Sequence, residues 1–109
     1  MSRTFYFHCD LSGCSVTAGV YLGRARKVEL LVNGHAVGFE RIHGHHAQVC
    51  TVAVTLPCEP PLKAVVEVAL PGVMSGEPAC TLVVGEERLQ MPERSLVRSA
   101  RPVEASGRG

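Results

Sequence analysis

Apolar and polar positions alternate in short runs along this chain, and Gly, Pro or Asn interrupts the runs at about the 8–12-residue spacing of an all-β domain. From Thr4 to Cys9, Phe5, Phe7 and Cys9 share one face, and Thr4, Tyr6 and His8 share the other. Asp10-Leu11-Ser12-Gly13-Cys14 then reads as a turn, and Ser15 to Leu22 as a second strand ended by Gly23. Lys27 to Val32 sets Val28, Leu30 and Val32 on one face and runs into Asn33-Gly34. Asn-Gly after such a run is a strong hairpin signal, because a tight hairpin turn needs positive φ at both central positions. His35 to Glu40 is the predicted returning strand, followed by the His43-Gly44-His45-His46 loop. Gln48 to Leu56 alternates most regularly, with Cys50, Val52, Val54 and Leu56 predicted inward.

Pro57-Cys58-Glu59-Pro60-Pro61 is a stiff connector. Leu62 to Leu70 fits two periods. Leu62, Val65, Val66, Ala69 and Leu70 make a helical stripe, whereas Leu62, Ala64, Val66, Val68 and Leu70 make a strand face. The short length and three valines favour a strand. Pro71 to Pro78 reads as a loop. Cys80 to Val84, the Gly85-Glu86-Glu87 turn and Arg88 to Met91 form a last hairpin. These elements predict an antiparallel β-sandwich or flattened barrel of about 7–8 short strands over residues 1–91.

From Pro92 the pattern stops. Arg94, Arg98, Arg101 and Arg108 are interleaved with Ser, Ala, Pro and Gly, and few apolar residues remain. Such a segment buries too little surface to offset the entropy of ordering it, so 92–109 is expected to be a flexible basic tail that orders only against a partner. Its four arginines are the candidate partner-binding residues.

Composition narrows the class. The chain has 109 residues, room for a single domain, and its 46% hydrophobic and 19% charged content is that of a globular protein. Aromatics make up 5% and tryptophan is absent, so the core must be built from valine, leucine and alanine. A net charge of +1 argues against nucleic acid or an anionic membrane as principal ligand. Arg24-Ala25-Arg26-Lys27 is the one basic run of the domain able to meet phosphates, but glutamates balance it elsewhere and stacking aromatics are few. No apolar stretch approaches the ~20 residues of a membrane span. The N-terminus has neither the apolar region nor the cleavage site of a signal peptide, which points to a cytoplasmic protein. Five cysteines, an odd number, with no export signal argue for reduced thiols rather than a disulfide framework.

Candidate chemistry is sparse. His43, His45 and His46, with Cys50 beyond them, are the residue types that hold zinc or copper. The adjacent His45 and His46 cannot face one ion without a tight turn, and no Cys-x-x-Cys pair accompanies them, so a solvent-facing loop competes with the metal reading. Cys9 and Cys14 near His8 raise a thiol nucleophile, but in a strand His8 and Cys9 point to opposite faces. No nucleophile elbow, phosphate-binding glycine loop or paired-carboxylate signature is present. No catalytic residue and no cofactor is implied.

Two segments, Lys27-Val28-Glu29-Leu30-Leu31-Val32-Asn33-Gly34 and Thr81-Leu82-Val83-Val84-Gly85-Glu86-Glu87-Arg88 followed by Pro92-Glu93, carry a resemblance. From Arg26 to Glu93 the pattern resembles one domain of the Fas apoptotic inhibitory molecule family. That resemblance implies a compact all-β fold and a non-enzymatic role through protein contacts. Together these readings predict a protein–protein interaction module, an accessory or structural subunit of a larger intracellular assembly. A metal-binding protein built on the histidine loop is the alternative.

Overall fold

The computed structural model describes residues 3–72 and 76–94. Eight strands account for most of them: β1 (Arg3–Leu11), β2 (Cys14–Leu22), β3 (Arg26–Val32), β4 (His35–Ile42), β5 (Gln48–Leu56), β6 (Leu62–Leu70), β7 (Ala79–Val84) and β8 (Glu87–Met91). They form two four-stranded antiparallel sheets, β1-β2-β3-β4 and β5-β6-β7-β8, each a plain meander in chain order. The first half of the chain therefore makes one layer and the second half the other.

Leu62–Leu70 is a strand. Ala64, Val66, Val68 and Leu70 are buried while Lys63 and Ala69 are exposed, a period of two. Flanked by β5 and β7, β6 has both edges hydrogen-bonded, which a helix in this layer could not provide. The Asn33-Gly34 hairpin between β3 and β4 is as the sequence indicates, whereas the turn between β1 and β2 is tighter, only Ser12-Gly13; φ is positive at all four residues. Asn33 adds a second lock, its side-chain oxygen accepting from the Ser15 main-chain N–H at 2.9 Å.

The inner faces meet in one aliphatic core, in which Val16, Val20, Val28, Leu30, Leu56 and Leu82 are fully buried. Each such side chain contributes about 1.5–3 kcal/mol. Of the aromatics only Phe7 lies within this core, as a valine- and leucine-built interior requires.

The sandwich is closed on one side. Beyond Met91 the chain stays in register with β1: His8 N–H donates to the Pro92 carbonyl at 3.0 Å, and Arg94 N–H donates to the Tyr6 carbonyl at 2.6 Å. Phe7 and Glu93 form a bridge between them. Sheet pairing thus continues past the expected boundary at Met91 as far as Arg94. The remaining tail arginines, Arg98, Arg101 and Arg108, lie outside the described residues.

Candidate functional site

On the opposite side no main-chain pairing joins the two sheets among the described residues. β4 and β5 follow each other in the chain but belong to different sheets, and among the described residues each is hydrogen-bonded along one edge only. Among the described residues the exposed large hydrophobic side chains are Val37 (50%), Phe39 (54%) and Val49 (64%). All three lie on these two strands.

The two edges differ in kind. β4 carries Glu40 and Arg41, and its register against β3 shifts between Leu30 and Leu31, leaving Val37 as a bulge. Bulges and charges are how sheet edges avoid accidental pairing. β5 has neither device. Its nine residues, QVCTVAVTL, contain no charge and no proline, and they pair with β6 from Gln48 to Leu56 without a shift. Gly38 fits the two strands together: a Cβ there would sit 3.0 Å from Cγ1 of Val52, a tight approach that would require the valine to give way. Beside β5, on the outer face of its sheet, a trough of about 730 Å³ is lined by Ala53, Thr55, Lys63, Val65 and Val83, with Val37 at its rim. β7 offers no such edge, because it is interior, paired to β6 and β8.

The outer face of the first sheet is occupied by its own side chains. Tyr6 and Tyr21 pack edge to face with centroids 6.3 Å apart, and Lys27 stands 5.4 Å from the Tyr21 ring. Tyr21 O–H donates to Glu29 at 3.2 Å. Burial, then the neighbouring Tyr6 and Glu29, push the Tyr21 hydroxyl well above its usual range. His8 bonds Thr17 at 3.1 Å and Asp10 at 3.0 Å.

The histidine loop folds onto an arginine. Arg26 is only 4% exposed, and its guanidinium donates to three main-chain carbonyls: Gly44 at 3.1 Å, Pro71 at 2.9 Å and His46 at 2.8 Å. His45 Nε2–H donates to the Arg24 carbonyl at 3.1 Å, and Gln48 caps the His43 carbonyl at 3.0 Å. Cys50 is not drawn into this loop. It lies on the inner face of β5, against the core. Among the described residues no three His, Cys, Asp or Glu side chains converge as a metal ion would need. His45 instead lines a cleft with Arg3, Arg24 and Arg26, a setting that opposes a cation.

Four thiols, Cys9, Cys50, Cys58 and Cys80, are raised above the usual thiol range. Burial, then Asp10, raises Cys9; burial, then Glu40, raises Cys50; and burial pushes Cys80 up to about 12. His8 and Cys9 do face opposite sides of β1, with His8 bonded outward and Cys9 packed on the core. Cys14 and Cys58 lie with their sulfurs 3.8 Å apart, and desolvation and the Cys14 neighbour raise the Cys58 thiol.

The sequence shows the β5 strand but not that its edge is open. Arg26 was legible in part, since it shares the parity of Val28, Leu30 and Val32 and so belongs to the inward face of β3. No helix among the described residues is long and apolar enough to cross a membrane. No family model, curated protein or solved structure matches the chain, and nothing beyond the sequence pattern identifies a Fas apoptotic inhibitory molecule-like domain.

Proposed function

We propose that this protein is a non-enzymatic protein-binding module, a small subunit or adaptor that takes an extended segment of a partner protein as an added strand along β5. The observation that carries the reading is the placing of Val37, Phe39 and Val49, the exposed large hydrophobics among the described residues, on the two strands at the unpaired side. Strand addition draws affinity from main-chain hydrogen bonds and specificity from alternate side chains. β5 offers an unbulged, uncharged row of main-chain donors and acceptors. The trough next to it suits small apolar side chains at every second position of the incoming strand, with Lys63 available to an acidic one. The all-β fold is the fold that the family resemblance implies.

The test compares the native mass and companions of the tagged protein in a gentle lysate with those of the Val49→Lys/Ala53→Lys variant. Both positions are exposed on β5, so the variant keeps the core while placing two charges along the edge. The expected result is a fixed set of companions that the variant loses at unchanged melting temperature. Companions retained by the variant would move the interface elsewhere, and a lone monomer in both would end the adaptor reading.

A further inference from the structure

We propose that the cleft at the pole of the sandwich where β2 turns into β3 binds a phosphoryl dianion. Three chain segments meet at this pole with the start of β1: the β2–β3 turn, the histidine loop between β4 and β5, and Pro71-Gly72 after β6. They enclose a cleft of about 310 Å³ lined by Arg3, Arg24, Arg26 and His45, with Leu22 and Pro71 as apolar walls. Every ionisable side chain among these is basic, and no carboxylate is among them.

Arg26 makes this more than a basic surface. Its guanidinium is buried, yet all three of its bonds go to neutral carbonyls, and among the described residues no carboxylate lies within ion-pair distance of it. Carbonyl dipoles solvate a cation without neutralising it, and a buried charge is costly until a counter-charge arrives. A guanidinium has five N–H groups, so three carbonyls leave two for another acceptor. Arg3 and Arg24 are exposed at the rim, free to swing toward a ligand, and Arg3 stands 5.5 Å from the Phe5 ring. His45 is oriented by its bond to the Arg24 carbonyl. Three permanent positive charges in one cleft match a dianion better than a single carboxylate, and the planar guanidinium fork suits phosphoryl oxygens. The site lies at the end of the sheets, separate from the β5 edge, and does not depend on the adaptor role.

The experiment titrates the full chain, labelled with nitrogen-15, with inorganic phosphate, O-phosphoserine and acetate at constant ionic strength and pH. Phosphate and O-phosphoserine should give saturable shifts confined to the amides of 22–26, 44–46 and 72. Equal affinity for the two would identify free phosphate as sufficient, and tighter binding of O-phosphoserine would identify a side-chain phosphoryl group. Arg26 variants risk unfolding, so the paired test is Arg3→Ala/Arg24→Ala, which touches only exposed side chains and should weaken phosphate by about tenfold. The proposal is overturned if phosphate produces no saturable shift, if acetate binds as tightly at the same amides, or if the double variant binds phosphate unchanged.

Discussion

Arg26 directs its donors at the main chain of two loops, and that arrangement makes its replacement informative. Arg26→Ala strips hydrogen bonds from the carbonyls of Gly44, His46 and Pro71 together. Leaving a buried acceptor unpaired costs about 1–3 kcal/mol, and some of these carbonyls will recover water. The expected loss is therefore about 3 kcal/mol or more, read as a lower denaturant midpoint. Arg26→Lys should restore only part of it, because an ammonium is a point donor and cannot span three acceptors set around a plane. Equal stability of wild type and Arg26→Ala would show that the loops hold themselves. The sequence suggested Arg24, Arg26 and Lys27 as one basic run. Alternation separates them: Arg26 faces in, Arg24 lines the cleft, and Lys27 stands over Tyr21. The acceptors were not legible, since they come from carbonyls that any residue carries.

Elements were the most legible level, because a half-buried strand writes its two faces into the chain as a period of two. Leu62–Leu70 satisfied a helical period as well; its short length and three valines favoured a strand, and its place between β5 and β7 settles it. What could not be read is how elements from different halves of the chain meet. Cys14 opens β2 and Cys58 sits in the connector after β5, yet their sulfurs are 3.8 Å apart across a separation of 44 residues. The odd cysteine count without an export signal suggested reduced thiols, and nothing in the spacing pointed to this contact. The contact predicts selective cross-linking. Treatment with an azodicarboxamide oxidant should remove two electrons and two protons from this pair, giving one S–S bond and the corresponding hydrazine. Peptide mapping should find Cys14 joined to Cys58, with Cys9, Cys50 and Cys80 left as thiols. The bond would tie the first sheet to the β5–β6 connector, and closing a loop of that length should raise stability by about 2–4 kcal/mol. Random pairing among the five cysteines would mean that the two sulfurs do not stay together in solution.

At the scale of the whole molecule, the fold is two consecutive meanders joined by main-chain pairing on one side and, among the described residues, not on the other. Stacked meanders leave four strand edges. Here the β1 edge is covered by the chain's own Pro92–Arg94, while β4 carries a bulge and charges, and β5 carries no such protection. Selection against aggregation ordinarily removes a bare edge, so its presence on β5 beside three exposed hydrophobics argues that something covers it. The closed side provides the control. A chain ending at Arg94 keeps both bonds between the β8 extension and β1, and its melting and native mass should match those of the full chain. A chain ending at Met91 loses the two bonds, at about 0.5–1.5 kcal/mol each, and bares the Tyr6–His8 stretch of β1. It should melt earlier and self-associate as concentration rises, and lysine at exposed Thr4 should suppress that association. If the Met91 form stays monomeric and equally stable, edge covering is not what keeps this sandwich soluble, and the open β5 edge loses its force as a sign of a partner.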